Sequence, residues 1–279
     1  AEGGLRLRLR LDPPELQALP WELLYDAERQ EFLALAGGTF VTRYLAVPRK
    51  RPPLAVEPPL RVLLATASPK SDRYHPLNVD AEVAAVRSAL AAPEIANKVQ
   101  LDVLPSAQIL ALRDRLRDFR PHVLHFVGHG RADQEGGALV LEDEDGGPHH
   151  LSGSTLSTLL KRTDVRLAIL NACLTAHGAT VDLDKESFYE RRRTLLGVGP
   201  AVIDAGLGAV VAMQFSFRDW SARFFAQDFY QTLARLEPVD EAVSRAREAL
   251  MLKFDEEQRD WATPVLFLRS SDGVIFQAR

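Results

Sequence analysis

The chain has 279 residues, 46% of them hydrophobic and 26% charged, and a net charge of −4, a balance that supports one or two globular domains with a sizeable core. No basic excess is present to neutralise nucleic-acid phosphates, and no apolar run approaches the roughly 20 residues that cross a bilayer, so neither nucleic acid nor membrane is expected as a direct partner. A single cysteine, Cys173, excludes an internal disulfide, and with no secretory signal before the first strand it points to a reducing cytoplasm. A start at Ala1 rather than methionine is expected of a piece of a longer polypeptide.

Leucine and arginine alternate from Leu5 to Leu11, the period of a strand with an arginine face in solvent. Pro20-Trp21-Glu22-Leu23-Leu24 predicts a short helix, and Phe32–Leu35 and Thr39–Val47 predict two strands joined at Gly37-Gly38. Residues 1–47 are thus expected to form a small antiparallel module. Five prolines among residues 48–59 predict an extended linker, leaving 60–279 as the main domain.

From there strand and helix alternate: Arg61–Thr66, helix Val79–Ala91, Val99–Leu104, helix Ser106–Phe119, and a strand over Val123–Val127 that ends in a Gly128-His129-Gly130 turn. Ala138–Leu141 and Pro148–Leu151 flank Glu144-Asp145-Gly146-Gly147 and predict a hairpin inserted above the sheet. A helix over Ser154–Lys161 leads to the strand Leu167–Cys173, then a helix over Pro200–Ala205, a strand over Ala209–Met213, helices Asp219–Leu236 and Val239–Phe254, and a last strand Pro264–Leu268. The pattern is that of an α/β fold with a mostly parallel sheet and helices on both faces.

In such a sheet the chemistry gathers outside the carboxyl ends of the strands, where His129 and Cys173 both fall. A free thiol near pKa 8.5 is only a few per cent thiolate at neutral pH, so an adjacent imidazole is needed to activate it or to protonate a leaving amine. The backbone N–H groups of Gly130 and Cys173 are the expected oxyanion donors. His125, two residues before Val127, is expected to be structural, and His177 to lie in a solvated loop. His149 and His150 stand at no zinc-like spacing with a third ligand, so no metal or other cofactor is expected. Gly128-His129-Gly130 does not make a dinucleotide loop, since Asp133 stands where the third glycine belongs, and neither a Gly-Lys-Ser/Thr loop nor a Gly-x-Ser-x-Gly elbow occurs.

The chain resembles a CHAT domain, of the caspase and separase group of cysteine peptidases. The resemblance rests on Pro20-Trp21-Glu22-Leu23-Leu24-Tyr25, His125-Phe126-Val127-Gly128-His129-Gly130, Leu170-Asn171-Ala172-Cys173-Leu174-Thr175-Ala176, Ala209-Val210-Val211-Ala212-Met213-Gln214 and Trp261-Ala262-Thr263-Pro264-Val265-Leu266-Phe267. His129 and Cys173 are 44 residues apart, close to the roughly 50 typical of caspases, although Asn171-Ala172-Cys173-Leu174-Thr175 shares only Ala-Cys with the caspase Gln-Ala-Cys signature. The resemblance implies a caspase-like fold, a His129/Cys173 dyad, cleavage of a protein or peptide substrate, and a triggered role in bacterial defence or cell death under a sensor or repeat domain in the same chain or a complex. It also includes members of uncertain activity, so an inactive interaction or signalling module is the alternative.

Asn171 and Gln214 are the expected pocket for the residue before the cut. Both are neutral, so no strong demand for a basic residue is expected unless Asp72 or Asp219 supplies charge. The charged stretch from Thr180 to Arg193 is long for a connection beyond the nucleophile and is expected either to shape the cleft in response to a partner or to be a solvated insertion.

Overall fold

The computed structural model describes residues 4–44, 52–131, 137–173, 198–203, 206–215, 219–254 and 259–279. The calls of special interest that fall elsewhere, His177 and the Thr180–Arg193 stretch, lie outside the described residues, as does the start of the proline-rich segment. The strands are β1 (Leu5–Leu9), β2 (Tyr25–Asp26), β3 (Glu31–Phe32), β4 (Thr39–Tyr44), β5 (Leu54–Val56), β6 (Leu60–Thr66), β7 (Val99–Leu104), β8 (Val123–Arg131), β9 (Ala138–Glu142), β10 (Pro148–Ser152), β11 (Leu167–Cys173), β12 (Ala209–Met213), β13 (Pro264–Leu268) and β14 (Phe276–Ala278). The helices are α1 (Pro14–Gln17), α2 (Val79–Leu90), α3 (Ile109–Asp118), α4 (Gly153–Leu160), α5 (198–203), α6 (Asp219–Leu233) and α7 (Val239–Phe254).

Among the described residues the main sheet runs β1-β4-β13-β12-β11-β8-β6-β7, with β9 and β10 attached through β8. From β12 to β7 the strands are parallel, and so are β13, β4 and β1 to one another. The two blocks meet antiparallel at β12/β13. Strands buried on both faces read as continuous apolar runs, and β11 is such a strand. Leu167 and Ile169 belong to the core under α2, α6 and α7, with Val86, Phe229, Tyr230 and Val243, whereas Ala168, Leu170 and Ala172 belong to the core under α3, α4 and α5, with Leu112, Leu156 and Val202. Helices therefore cover both faces, as the sequence predicts. The helices start where polar caps stand: the Asn78 side chain accepts from Ala81 N at 3.3 Å, and that of Ser152 from Thr155 N at 3.2 Å.

The expected antiparallel N-terminal module is overturned. β1 pairs parallel with β4, and β4 parallel with β13, so the first strands continue the main sheet. A parallel pair needs a crossover of a dozen or more residues, and residues 10–38 provide one. Phe32–Leu35 does not form a hairpin with β4, because β3 ends at Phe32 and pairs with β2. The arginine face of β1 is also not simply solvated: Arg6 bonds Asp240 of α7 at 2.6 Å and lies over the Phe40 ring, and Arg8 lies over Tyr44. Within the proline-rich segment, Leu54–Val56 is extended as expected and pairs with β14.

The Gly128–Gly130 turn is a correction as well. β8 continues through it to Arg131, because β9 pairs antiparallel with its last three residues, and the hairpin β9/β10 is joined to the sheet rather than laid above it. Gly128 is required by packing: a Cβ there would stand 2.4 Å from the Phe126 ring.

His125 is buried on β8, with Nδ1 2.9 Å from the Tyr230 hydroxyl, and desolvation lowers its pKa from 6.5 to about 4. Between these values the unfolded chain binds a proton that the native ring refuses, so stability is complete above pH 6.5 and falls as pH drops toward 4. The linked loss is about 2.5 kcal/mol between pH 7.5 and 4.5. Urea unfolding of His125→Gln at both pH values is expected to show a pH dependence smaller by about that amount, whatever the variant costs at pH 7.5; equal slopes would contradict it.

Candidate active site

β8 and β11 are neighbours, and their register sets Asn171 opposite Val127, Ala172 opposite Gly128 and Cys173 opposite His129. Adjacent strands lie about 4.8 Å apart, so the backbone brings the two expected catalytic positions side by side at the carboxyl end of the sheet. The Cys173 side chain lies outside the described atoms; its backbone completes β11.

The His129 ring is described and is 1% exposed. Its Nε2 is 2.8 Å from the His75 carbonyl oxygen. A carbonyl only accepts, so Nε2 carries the proton and Nδ1 of the neutral ring carries the lone pair. The Tyr74 ring packs on the imidazole with centroids 5.0 Å apart and planes inclined by 33°. Burial depresses the His129 pKa below 6.5; the bond to the His75 carbonyl opposes that and the His75 ring adds to it. The neutral base is thereby favoured at physiological pH.

Gly130 is buried and stands opposite Leu139 of β9. On the far face of the sheet, Leu170, Ala172, Val198 and Ala212 leave a void of about 10 Å³ against it, room for one water at most. Asn171 is half-buried. Gln214 is elsewhere in character: it is buried, and its Nε2 donates to Glu22 Oε2 at 2.9 Å and to the Ala262 carbonyl at 2.6 Å. Both amide hydrogens are thus spent on the fold. Asp72 is exposed in the β6–α2 loop, and the Asp219 side chain lies outside the described atoms.

Sequence reasoning missed Tyr74, the His75 carbonyl and the role of His150. The available signal was an aromatic residue inside the polar run Ser71-Asp72-Arg73-Tyr74-His75, where a buried ring needs something to pack on. His150 bonds the Tyr74 hydroxyl at 3.2 Å. Among the described residues no three His, Cys, Asp or Glu side chains are grouped to hold a metal ion, and no helix is long and apolar enough to cross a membrane.

The CHAT domain family model matches residues 1–268. The chain belongs to the CHAT domain family. Among solved structures, this CHAT domain is similar to separase in the Saccharomyces cerevisiae separase–securin complex, with a TM-score of 0.53 and 14% identity over 95% of the chain and 15% of separase. It is also similar to the Arg-specific cysteine proteinase gingipain R, with a TM-score of 0.55 and 10% identity over 98% of the chain and 64% of that protein. A complex of the Porphyromonas gingivalis gingipain pro- and mature domains gives a TM-score of 0.55 and 10% identity, over 99% of this chain and 66% of the other. At these identities the likeness is one of fold, and the caspase-like α/β architecture expected from the sequence is present. No curated protein sequence matches the chain.

Proposed function

We propose that this CHAT domain is a cysteine endopeptidase with Cys173 as nucleophile and His129 as general acid/base. The observation that carries the reading is the register of β8 and β11, which pairs the backbone of Cys173 with that of His129. The family and the peptidase fold support it from a second side.

In this reading the Cys173 thiol gives its proton to His129 Nδ1 as sulfur attacks the scissile carbonyl carbon, and the oxyanion is held by the backbone N–H groups of Gly130 and Cys173. Collapse of the tetrahedral adduct breaks the C–N bond, and Nδ1–H returns the proton to the departing amine. Water then attacks the thioester, with Nδ1 taking its proton, and the released thiol regains it. No cofactor is needed. The pocket is carried in this proposal by Asn171, whose neutral amide places no demand for a basic residue before the cut.

The chain spans 15% of separase and 64% of gingipain R. The separase–securin complex and the complex of gingipain pro- and mature domains support a protein partner for this domain. In this reading the partner is a sensor or repeat domain, in the same chain or a complex, that triggers the domain in a cytoplasmic bacterial defence or cell-death pathway.

The test is covalent labelling of the intact parent protein with two peptide acyloxymethyl ketones, one carrying arginine and one a neutral residue next to the reactive carbon. Mass spectrometry is expected to find both adducts on Cys173 and none in Cys173→Ala. No adduct under any activating condition would establish an inactive interaction module, and an adduct with the arginine probe alone would overturn the neutral pocket.

A further inference from the structure

The loop between β6 and α2, residues 67–78, packs against His129 on one side and is sewn to the β9/β10 hairpin on the other. Ala67 N donates to the Val127 carbonyl at 2.9 Å, which fixes the loop's start on β8. Ser68 N donates to Glu142 Oε1 at 2.9 Å, and Lys70 N donates to the Gly146 carbonyl at 2.8 Å, so the loop is tied to the end of β9 and to the β9–β10 turn. Tyr74 is 5% exposed, although Asp72, Arg73, His75 and Pro76 around it are exposed. Between Lys70 and Leu77, Tyr74 is the one buried side chain.

That ring does two things at once. Its face lies on the His129 imidazole at 5.0 Å, and its chain position fixes the next peptide, whose carbonyl takes the Nε2–H of His129 at 2.8 Å. Its hydroxyl reaches His150 Nε2 on β10 at 3.2 Å. Arg131 Nη1 stands 3.2 Å from His150 Nδ1 and 3.4 Å from its Nε2, so the guanidinium at the end of β8 joins the same cluster. A continuous run of contacts leads from the exposed hairpin to the buried imidazole.

We propose that Tyr74 is the positioning residue of His129, and that the hairpin holds Tyr74 through His150, so that the hairpin sets which nitrogen of His129 bears the proton. The inference rests on the reading of His129 as the base of the dyad, for which Nδ1 must keep its lone pair. With the ring removed, the His75 carbonyl is no longer fixed on Nε2, and the two neutral tautomers mix. A base displaced by an ångström or holding its proton on the wrong nitrogen loses up to about 10²-fold in rate.

The experiment combines ¹⁵N NMR of the imidazoles with inactivation kinetics of Cys173 by a peptide acyloxymethyl ketone, the His129 signals being assigned by their loss in His129→Gln. In the wild type, His129 is expected as the pure Nε2–H tautomer. Tyr74→Ala is expected to give mixed tautomers and a drop of about 10² in the maximal inactivation rate with the half-saturating inhibitor concentration within twofold. Tyr74→Phe keeps the stack but loses the bond to His150, so it and His150→Ala are each expected to give mixed tautomers and a loss of rate smaller than that of Tyr74→Ala. Should Tyr74→Ala fail to fold, Tyr74→Leu and His150→Ala carry the same readouts. A pure Nε2–H tautomer and an unchanged rate and pH profile in folded variants would overturn the proposal. The NMR arm stands even if Cys173 proves unreactive, so failure of the peptidase reading is distinguishable from failure of this one.

Discussion

His129→Ala is expected to slow acylation of Cys173 by about 10² to 10⁴ at pH 7, the usual worth of a positioned general acid/base. The shape of the pH profile is the sharper result. In the wild type the rate should rise as His129 loses its proton, with a midpoint below 6.5, because burial depresses the ring's pKa. Without the imidazole the rate must follow the thiol's own ionisation, near 8.5, and should still be climbing at pH 8. The variant therefore recovers part of its deficit at high pH, and the ratio of the two rates shrinks as pH rises. Coincident profiles would mean that Cys173 and His129 do not communicate, and the dyad would be lost with them. His125→Gln is the matched control, since that ring is engaged with Tyr230 in the core and not at the strand end.

Much of the central architecture was legible because it is written in local periodicity. β7, β12, β13 and α7 have the limits that the sequence predicts, Val99–Leu104, Ala209–Met213, Pro264–Leu268 and Val239–Phe254. Apolar runs of five residues in β12 and β13, the alternation Val99-Gln100-Leu101-Asp102-Val103 in β7, and a long helical stripe leave little choice of element. That His129 and Cys173 fall side by side was legible for the same reason, as both stand at strand ends of a parallel sheet, where the candidate site was expected. What could not be read was pairing. The alternation in Leu5–Leu9 identifies a strand and is silent on whether its partner runs with it or against it, and the partner proved to be parallel β4. Gly128-His129-Gly130 carries the letters of a turn, yet antiparallel pairing with Ala138–Val140, residues that follow a connection, keeps it extended. Tyr74 is an ordinary loop residue until the fold sets His129 beneath it.

The same limit hid the purpose of Pro20-Trp21-Glu22-Leu23-Leu24-Tyr25, a motif that helps mark the family while saying nothing of its task. In the structure Glu22 is fully buried and faces Arg43 of β4 in a two-pronged bond, Oε2 at 2.8 Å from Nη2 and Oε1 at 3.2 Å from Nε. Arg43 also donates to the Gln17 carbonyl and, at 3.1 Å, to that of Leu19. Gln214 at the end of β12 donates to the same carboxylate, and Arg247 of α7, with Nη2 2.7 Å from the Pro264 carbonyl, stands behind it. Burial alone would raise the Glu22 pKa, but the charge and hydrogen bonds of Arg43, aided by Arg247, hold it below the usual range, so the side chain is a carboxylate at neutral pH. One negative charge thus faces two buried cations and joins the segment around Glu22 to β4, to the end of β12 and to α7.

Glu22→Ala is accordingly expected to cost about 3 to 5 kcal/mol, the penalty of leaving buried charge uncompensated, read as a lower urea midpoint with little change in slope. Glu22→Gln keeps the shape and removes the charge, and should recover little of the loss. The decisive arm is Glu22→Met combined with Arg43→Met, since removing both charges avoids burying either one alone, and the double variant is expected to be more stable than each single one. Asp102→Ala supplies the contrast: its bond to Arg115 is as short, 2.7 Å, but the arginine is 43% exposed, and water leaves such a pair worth at most about 1 kcal/mol. A loss at Glu22 no larger than that at Asp102 would show that the motif is kept for some reason other than this charge. Gln214 lies one residue beyond β12, the strand beside the one that ends in Cys173, so a folded Glu22 variant assayed in the cold should also lose part of its Cys173 acylation rate, linking the family motif to the site through a strand end.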